Sequence, residues 1–124
     1  MLAAALAALR RQRSSGRNET IVREAKALLE QNTAKAVSME KLAQRFQLSE
    51  KHFRRLFKSH TGLSPYQYYL QTRIHRAKEM LLGTTMSIKE ISSSLYFENP
   101  FHFSKAFKAK AGMSPSQWRG GTSK

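Results

Sequence analysis

The sequence predicts an all-α fold, and three observations carry that expectation. No stretch alternates Val, Ile or Thr with polar residues, so no strand is expected. Helix start and stop signals recur along the chain, with Ser or Asn ahead of apolar-periodic stretches and Gly after them. Finally, FKSHTGLSPYQ at Phe57–Gln67 returns fifty places later as FKAKAGMSPSQ at Phe107–Gln117, and upstream Phe53 is matched by Phe103. A shared period in a short chain points to one structural unit used twice.

The elements follow in order. MLAAALAALRRQR opens the chain with an apolar stretch whose Leu2, Leu6 and Leu9 share one helical face. Its charge comes after the apolar run, the reverse of a secretory signal. Ser14-Ser15-Gly16 reads as a linker. Residues 1–17 are therefore expected to be an N-terminal apolar helix and linker, and residues 18–124 the main domain. Glu19–Gln31 is a helix with Ile21, Ala25, Leu28 and Leu29 inward and Asn32 near its end. Ser38 caps a short helix to about Phe46, with Met39, Leu42, Ala43 and Phe46 on its apolar face. Phe46-Gln47-Leu48 makes a tight turn, Ser49 caps the helix Glu50–His60, and Gly62 ends it.

Ser64-Pro65-Tyr66-Gln67 combines a cap, a proline at the first helical position and a Gln able to complete a capping box. Nothing then breaks the helix before Gly83, giving a connector over residues 65–82 of ~18 residues and ~27 Å. Leu70, Ile74, Ala77 and Leu81 keep its period. Ser87 caps a helix from Ile88 to about Leu95, Asn99-Pro100 opens the next, and Gly112 closes it. Ser114-Pro115-Ser116-Gln117 repeats the earlier start signal and leads into a brief turn with Trp118.

At 124 residues the chain suits one domain, or two very small ones sharing an element. Its hydrophobic fraction of 40% supplies a modest core. There is no cysteine, which excludes disulfides and thiolate metal sites. No apolar run approaches the roughly 20 residues that span a bilayer. Every acidic residue is Glu, so a Ser-His-Asp triad is absent. His52, His60, His75 and His102 show no metal-binding pairing, and no Gly-rich phosphate loop occurs. No catalytic residues, metal or cofactor are expected.

Charge narrows the choice. The net +14 is unevenly spread: residues 18–50 are neutral, whereas residues 51–82 carry seven basic side chains and one acidic. An excess that begins abruptly at Lys51, inside the repeated unit, reads as a surface for a polyanion. A solubilising surface charge or a basic face for anionic lipid are the alternatives.

A short helix, a tight turn and a second helix occur twice, over about 38–61 and 87–111, which is the helix-turn-helix plan. On the second helix of the first pair, Phe53, Leu56 and Phe57 point one way. Lys51, Arg54, Arg55 and Lys58, at i, i+3, i+4 and i+7, point another. In the second pair Phe103, Ala106 and Phe107 are the anchors. Phe101, Ser104, Lys105 and Lys108 take the outer places, with His102 beside them. Such a helix fits the DNA major groove, where arginine can bond guanine bidentately and Phe can meet a thymine methyl. Tyr66, Tyr68, Tyr69 and Trp118, beside the Ser-Pro starts, are read as packing residues rather than base-stacking platforms.

With these residues in view, the sequence from about Glu19 to Arg119 resembles the DNA-binding domain of the AraC/XylS family of bacterial transcription regulators. Leu42-Ala43, Ser49, Phe53, Arg55, Phe57-Lys58, Gly62, Ser64-Pro65, Arg73, Ala77, Leu81-Leu82, Ile88, Ile91, Phe97, Phe103, Phe107-Lys108, Gly112, Ser114-Pro115 and Arg119 carry the likeness. The resemblance implies seven helices, with two helix-turn-helix units joined by the long central helix. It implies reading helices at about 50–60 and 100–110 that enter successive major grooves of duplex DNA. Transcription control is implied too, usually activation through contact with RNA polymerase, in the bacterial cytoplasm on the nucleoid. Carried over by position, base contacts fall on Lys51, Arg54 and Arg55, and on Pro100, Phe101, His102 and Lys105. Phosphate contacts fall on Ser49, His52, Lys58, Gln67, Asn99, Ser104, Lys108 and Gln117.

Three departures stand in the second unit. Tyr96 replaces a common glycine in the turn, Ser92 a small apolar residue, and Lys105 an arginine. The second reader is therefore expected to be the weaker one. A connector of ~27 Å against the ~34 Å between successive grooves means that either the DNA bends or only one reader inserts fully; the expectation is a bent, asymmetric site bound by a monomeric domain. The family often carries an effector-sensing domain ahead of this module. Residues 1–17 are accordingly read as the tail of such a domain in a longer, dimeric regulator, with a stand-alone regulator as the alternative.

Overall fold

The computed structural model describes residues 2–31 and 37–121. Seven α-helices and no strand occur among them: α1 Leu2–Gln31, α2 Met39–Arg45, α3 Glu50–Thr61, α4 Pro65–Gly83, α5 Ile88–Ser94, α6 Pro100–Ala111 and α7 Pro115–Gly120. The all-α expectation holds, and each helix from α2 onward lies within two residues of its expected bounds.

The N-terminal linker does not. α1 runs unbroken for 30 residues, so the apolar stretch is the front of the first helix and not a separate element. A single glycine costs a helix only about 1 kcal/mol relative to Ala. Here the Thr20 hydroxyl also bonds back to the Gly16 carbonyl at 2.9 Å, within the helix. Leu6 is exposed. Asn32, expected near the helix end, lies outside the described residues.

The chain divides into two compact units. In the first, described over residues 2–31 and 37–66, α1 and α2 both pack on α3. Its buried residues are Ile21, Val22, Ala25 and Leu29 from α1, Leu42 and Ala43 from α2, the turn residue Phe46, and Phe53, Leu56 and Phe57 from α3. Val22 joins the expected stripe, while Leu28 is only half-buried. Phe46 stacks on Phe53 with ring centroids 6.0 Å apart, and Phe53 meets Phe57 at 6.0 Å.

The second unit, from residue 67 onward, is built the same way. Ile74, Ala77 and Leu81 of α4, Ile91 and Leu95 around α5, and Phe103 and Phe107 of α6 form one buried cluster. Phe97, Phe103, Phe107 and Trp118 make a ladder of rings with centroid spacings of 5.0, 5.8 and 6.0 Å. Trp118 thus packs, as expected, and Lys78 covers its face at 4.8 Å. Tyr66 does not pack; it is exposed.

Local chemistry sets the helix limits. Ser38, Ser49, Ser87, Asn99 and Ser114 are all N-caps, each accepting from the main-chain N–H three residues on. Ser87 with Glu90, and Ser114 with Gln117, complete reciprocal capping boxes. α3 and α6 both end on a left-handed glycine, Gly62 at φ 82° and Gly112 at φ 84°.

Candidate nucleic-acid interface

Each unit presents one helix whose two faces differ. On α3, Phe53, Leu56 and Phe57 are buried, while Lys51, His52, Arg54, Arg55 and Lys58 are exposed. The buried face fixes how the helix is rotated, so four cations at helical spacing are turned to solvent together. Arg54 also lines an open hollow with Met39, Glu50, Phe53, Ser64, Pro65 and Tyr66. On α6, Phe103 and Phe107 are fully buried. Phe101, His102, Lys105 and Lys108 are exposed, while Pro100, Ser104 and Ala106 are half-buried. Ser104 is thus the least accessible of the residues expected at phosphate. Ala106 seals the core less completely than expected.

The turn before α3 and the turn before α6 are each a Schellman motif. In the first, the Gln47 N–H donates to the Gln44 carbonyl at 2.9 Å and the Leu48 N–H to Ala43 at 3.1 Å. In the second, Tyr96 donates to Ser93 and Phe97 to Ser92, both at 3.1 Å. The motif demands a left-handed residue. Gln47 (φ 59°) and Tyr96 (φ 63°) occupy it, and neither is glycine. Tyr96, in place of the common glycine, is thus held in a strained backbone conformation, and Gln47 carries the same strain in the first unit. At Gln47 the sequence reading missed it, because Gln is not a turn signal.

The turns differ in length. Ser38 through Leu48 match Ser87 through Phe97 at an offset of 49, but Ser49 matches Asn99 at 50. Glu98 is the extra residue. Asn99 is correspondingly more extended, at φ −160° against −67° for Ser49. The step from 49 to 50 is visible in the sequence once the caps are aligned.

The caps also shape what the interface can donate. Ser49 Oγ accepts from the His52 N–H at 3.1 Å, and Asn99 Oδ1 from His102 at 2.7 Å. Gln117 Oε1 accepts from the Ser114 N–H at 2.9 Å. These bonds engage the acceptor atoms and leave the Ser49 O–H and the Asn99 and Gln117 amide NH2 groups as donors, which is what a phosphate oxygen requires. The main-chain N–H groups of His52 and His102 are already bonded, so only their imidazoles remain to act. His102 lies edge-on to Phe97 at 6.1 Å, which restricts its ring. Gln67 is exposed near the start of α4.

Among the described residues, no group of three His, Asp or Glu side chains is placed to hold a metal ion. No helix among them is long and apolar enough to cross a membrane. Two helix-turn-helix units, each offering a capped helix with an exposed polar face, define a DNA-binding module.

Comparison with known proteins agrees. The helix-turn-helix domain family matches residues 42–121. The HTH-type transcriptional regulator GbdR of Pseudomonas aeruginosa is 35% identical over 106 residues, covering 86% of this chain and 29% of its own length. The HTH-type transcriptional activator RhaS of Escherichia fergusonii is 39% identical over 95 residues, 77% of this chain and 34% of its own. An AraC-type DNA-binding-domain regulator from Chromobacterium violaceum superposes with a TM-score of 0.76 at 30% identity, over 82% of this chain and 91% of its own. The DNA-binding domain of AdpA, solved with a target DNA, gives 0.74 at 27%, over 80% and 89%. The chain belongs to the AraC/XylS family of transcription regulators and carries that family's DNA-binding domain. The part of these relatives that it matches is the helix-turn-helix domain. The chain spans about a third of the length of these curated relatives.

Proposed function

We propose that the chain binds duplex DNA sequence-specifically, with α3 and α6 each reading a separate major-groove segment of one site, and that it activates transcription. The observation that carries this is the division of α3 into a buried aromatic face and an exposed face of Lys51, Arg54, Arg55 and Lys58. Arg54 and Arg55 supply bidentate donors for guanine O6 and N7, and Lys51 joins them at the base edges. Lys58 and Lys108 neutralise phosphate, and the Ser49, Asn99 and Gln117 donors fix the register on the backbone. His52, Gln67 and Ser104 complete the phosphate contacts. On α6 the base edges fall to Pro100, Phe101, His102 and Lys105.

Activation is supported by RhaS, named as an activator. It implies contact with RNA polymerase, in the cytoplasm on the nucleoid. The domain acts on DNA as a monomer, within a regulator that dimerises through another part. The test is selection from a random duplex pool, then affinity against salt for the winner and a scrambled duplex. A site of ~15–20 base pairs with a specificity ratio of at least about 10³ is expected. Equal affinity for both duplexes, lost together as salt rises, contradicts the reading.

A further inference from the structure

The two reading helices are not chemical copies. Two residues after the cap, α3 carries Lys51 and α6 carries Phe101. Phe101 is 79% exposed, more than any other large hydrophobic side chain among the described residues. It is not a core residue out of place, because Phe103 and Phe107 on the same helix are fully buried. Its backbone is held firmly. Pro100 fixes the first helical φ, and Asn99 bonds the His102 N–H at 2.7 Å, one residue beyond. Along its face follow Lys105 and Lys108, so an apolar ring leads and two cations trail.

A phenyl ring neither binds phosphate nor bonds to a base edge. The apolar group on the floor of the major groove is the C5-methyl of thymine. Resting on the proposed sequence-specific reading, we infer that Phe101 recognises a pyrimidine C5-methyl group. The site is then chemically asymmetric: the segment under α3 is read as guanine through arginine, and the segment under α6 as thymine through Phe101. The charges agree, since the outer places of α3 hold four cations and those of α6 two, Lys105 and Lys108. A less basic reader takes less of its affinity from phosphate and more from apolar contact.

The experiment uses the duplex chosen by the selection above, with each thymine of the α6 segment changed singly to deoxyuracil. That change removes one methyl group and keeps every hydrogen bond. At one position, wild-type protein is expected to bind about fourfold more weakly. Phe101→Ala, at an exposed position, is expected to bind the thymine and uracil duplexes equally while keeping its helical circular dichroism. Phe101→Leu is expected to retain part of the discrimination. At that same position, 5-methylcytosine paired with guanine is expected to bind more tightly than cytosine does.

Indifference of the wild type to uracil at every thymine of the segment overturns the inference. So does a uracil effect that persists in Phe101→Ala, or a DNA bend that vanishes in Phe101→Ala while uracil is harmless, which would make Phe101 a wedge. Failure of the selection to yield any site would instead contradict the proposed function, so the two outcomes are distinct.

Discussion

Arg119 reaches back across 38 residues to the end of α4, where its Nε donates to the Leu81 carbonyl at 2.9 Å and Nη2 to the Thr84 carbonyl at 3.3 Å. Carbonyls at a helix C-terminus have no partner within the helix and carry partial negative charge. A guanidinium fork satisfies two at once and ties α7 to α4. Arg119→Ala is expected to destabilise the domain by about 1–2 kcal/mol. Arg119→Lys keeps the charge but not the fork, and should recover only part of that. Thermal unfolding followed by circular dichroism checks both; no change in Tm for the alanine variant would count against the tie.

Ser92 is buried, yet its hydroxyl has no hydrogen-bond partner. Its helical counterpart in the first unit is Ala43. Ser92→Ala removes a stranded polar group and improves helix propensity, so a gain of about 1 kcal/mol is expected. In a domain of this size that raises Tm by about 4–8 °C. A lower Tm would show that the hydroxyl has a role.

The left-handed positions give opposite predictions by residue type. Tyr96→Gly relieves backbone strain of about 1–2 kcal/mol, partly offset by the greater freedom of Gly in the unfolded chain. A small net gain is expected in chemical denaturation. Gly112→Ala introduces the strain, with nothing within 4 Å to clash, and should cost about 1 kcal/mol. Equal stability of Gly112→Ala and wild type would sink the argument.

Glu90 titrates below its ordinary value of 4.5, chiefly because the Ser87 main-chain N–H donates to it, at 3.1 Å, and secondarily through the Ser87 side chain. The folded value lies below the unfolded one. Its contribution is therefore present above the ordinary value and lost as pH falls through the lowered one. Glu90→Gln should lessen the Tm loss as pH falls below the ordinary value of 4.5. A parallel pair of Tm–pH curves would contradict this.

On DNA, Arg55→Ala is expected to relax base preference at one position, at a cost of about 1–3 kcal/mol on the preferred site. Lys58→Ala should weaken all duplexes alike and lower the salt slope by about 1. If Lys105→Ala relaxed preference more than Arg55→Ala, the assignment of the main reader to α3 would fail.

Much of this was legible because it is local. Ser49, Asn99, Gly62 and Gly112 act through bonds to residues three or four places away, and their chemistry names them in any context. The faces of α3 and α6 were legible for the same reason, since a buried Phe at i and i+4 fixes where the cations must point. The continuity of α1 was not. Ser14, Ser15 and Gly16 weaken a helix without stopping it, and composition alone does not separate the two outcomes. The shared strain at Gln47 and Tyr96 was half legible, because a motif imposed by hydrogen bonding can override the residue preference that normally announces it. The extra Glu98 was hidden by the strong match on either side of it.

The bounds Ser49–Gly62 and Asn99–Gly112 enclose segments of equal length, each opened by a side-chain cap and closed by a left-handed glycine. The length difference between the two halves falls outside them, at Glu98. On the proposed reading, each of these helices is thus an interchangeable cassette. Its outward alphabet can be rewritten, or traded between the halves, without disturbing the punctuation that folds it. A regulator built this way can acquire a new address by changing a handful of outward letters.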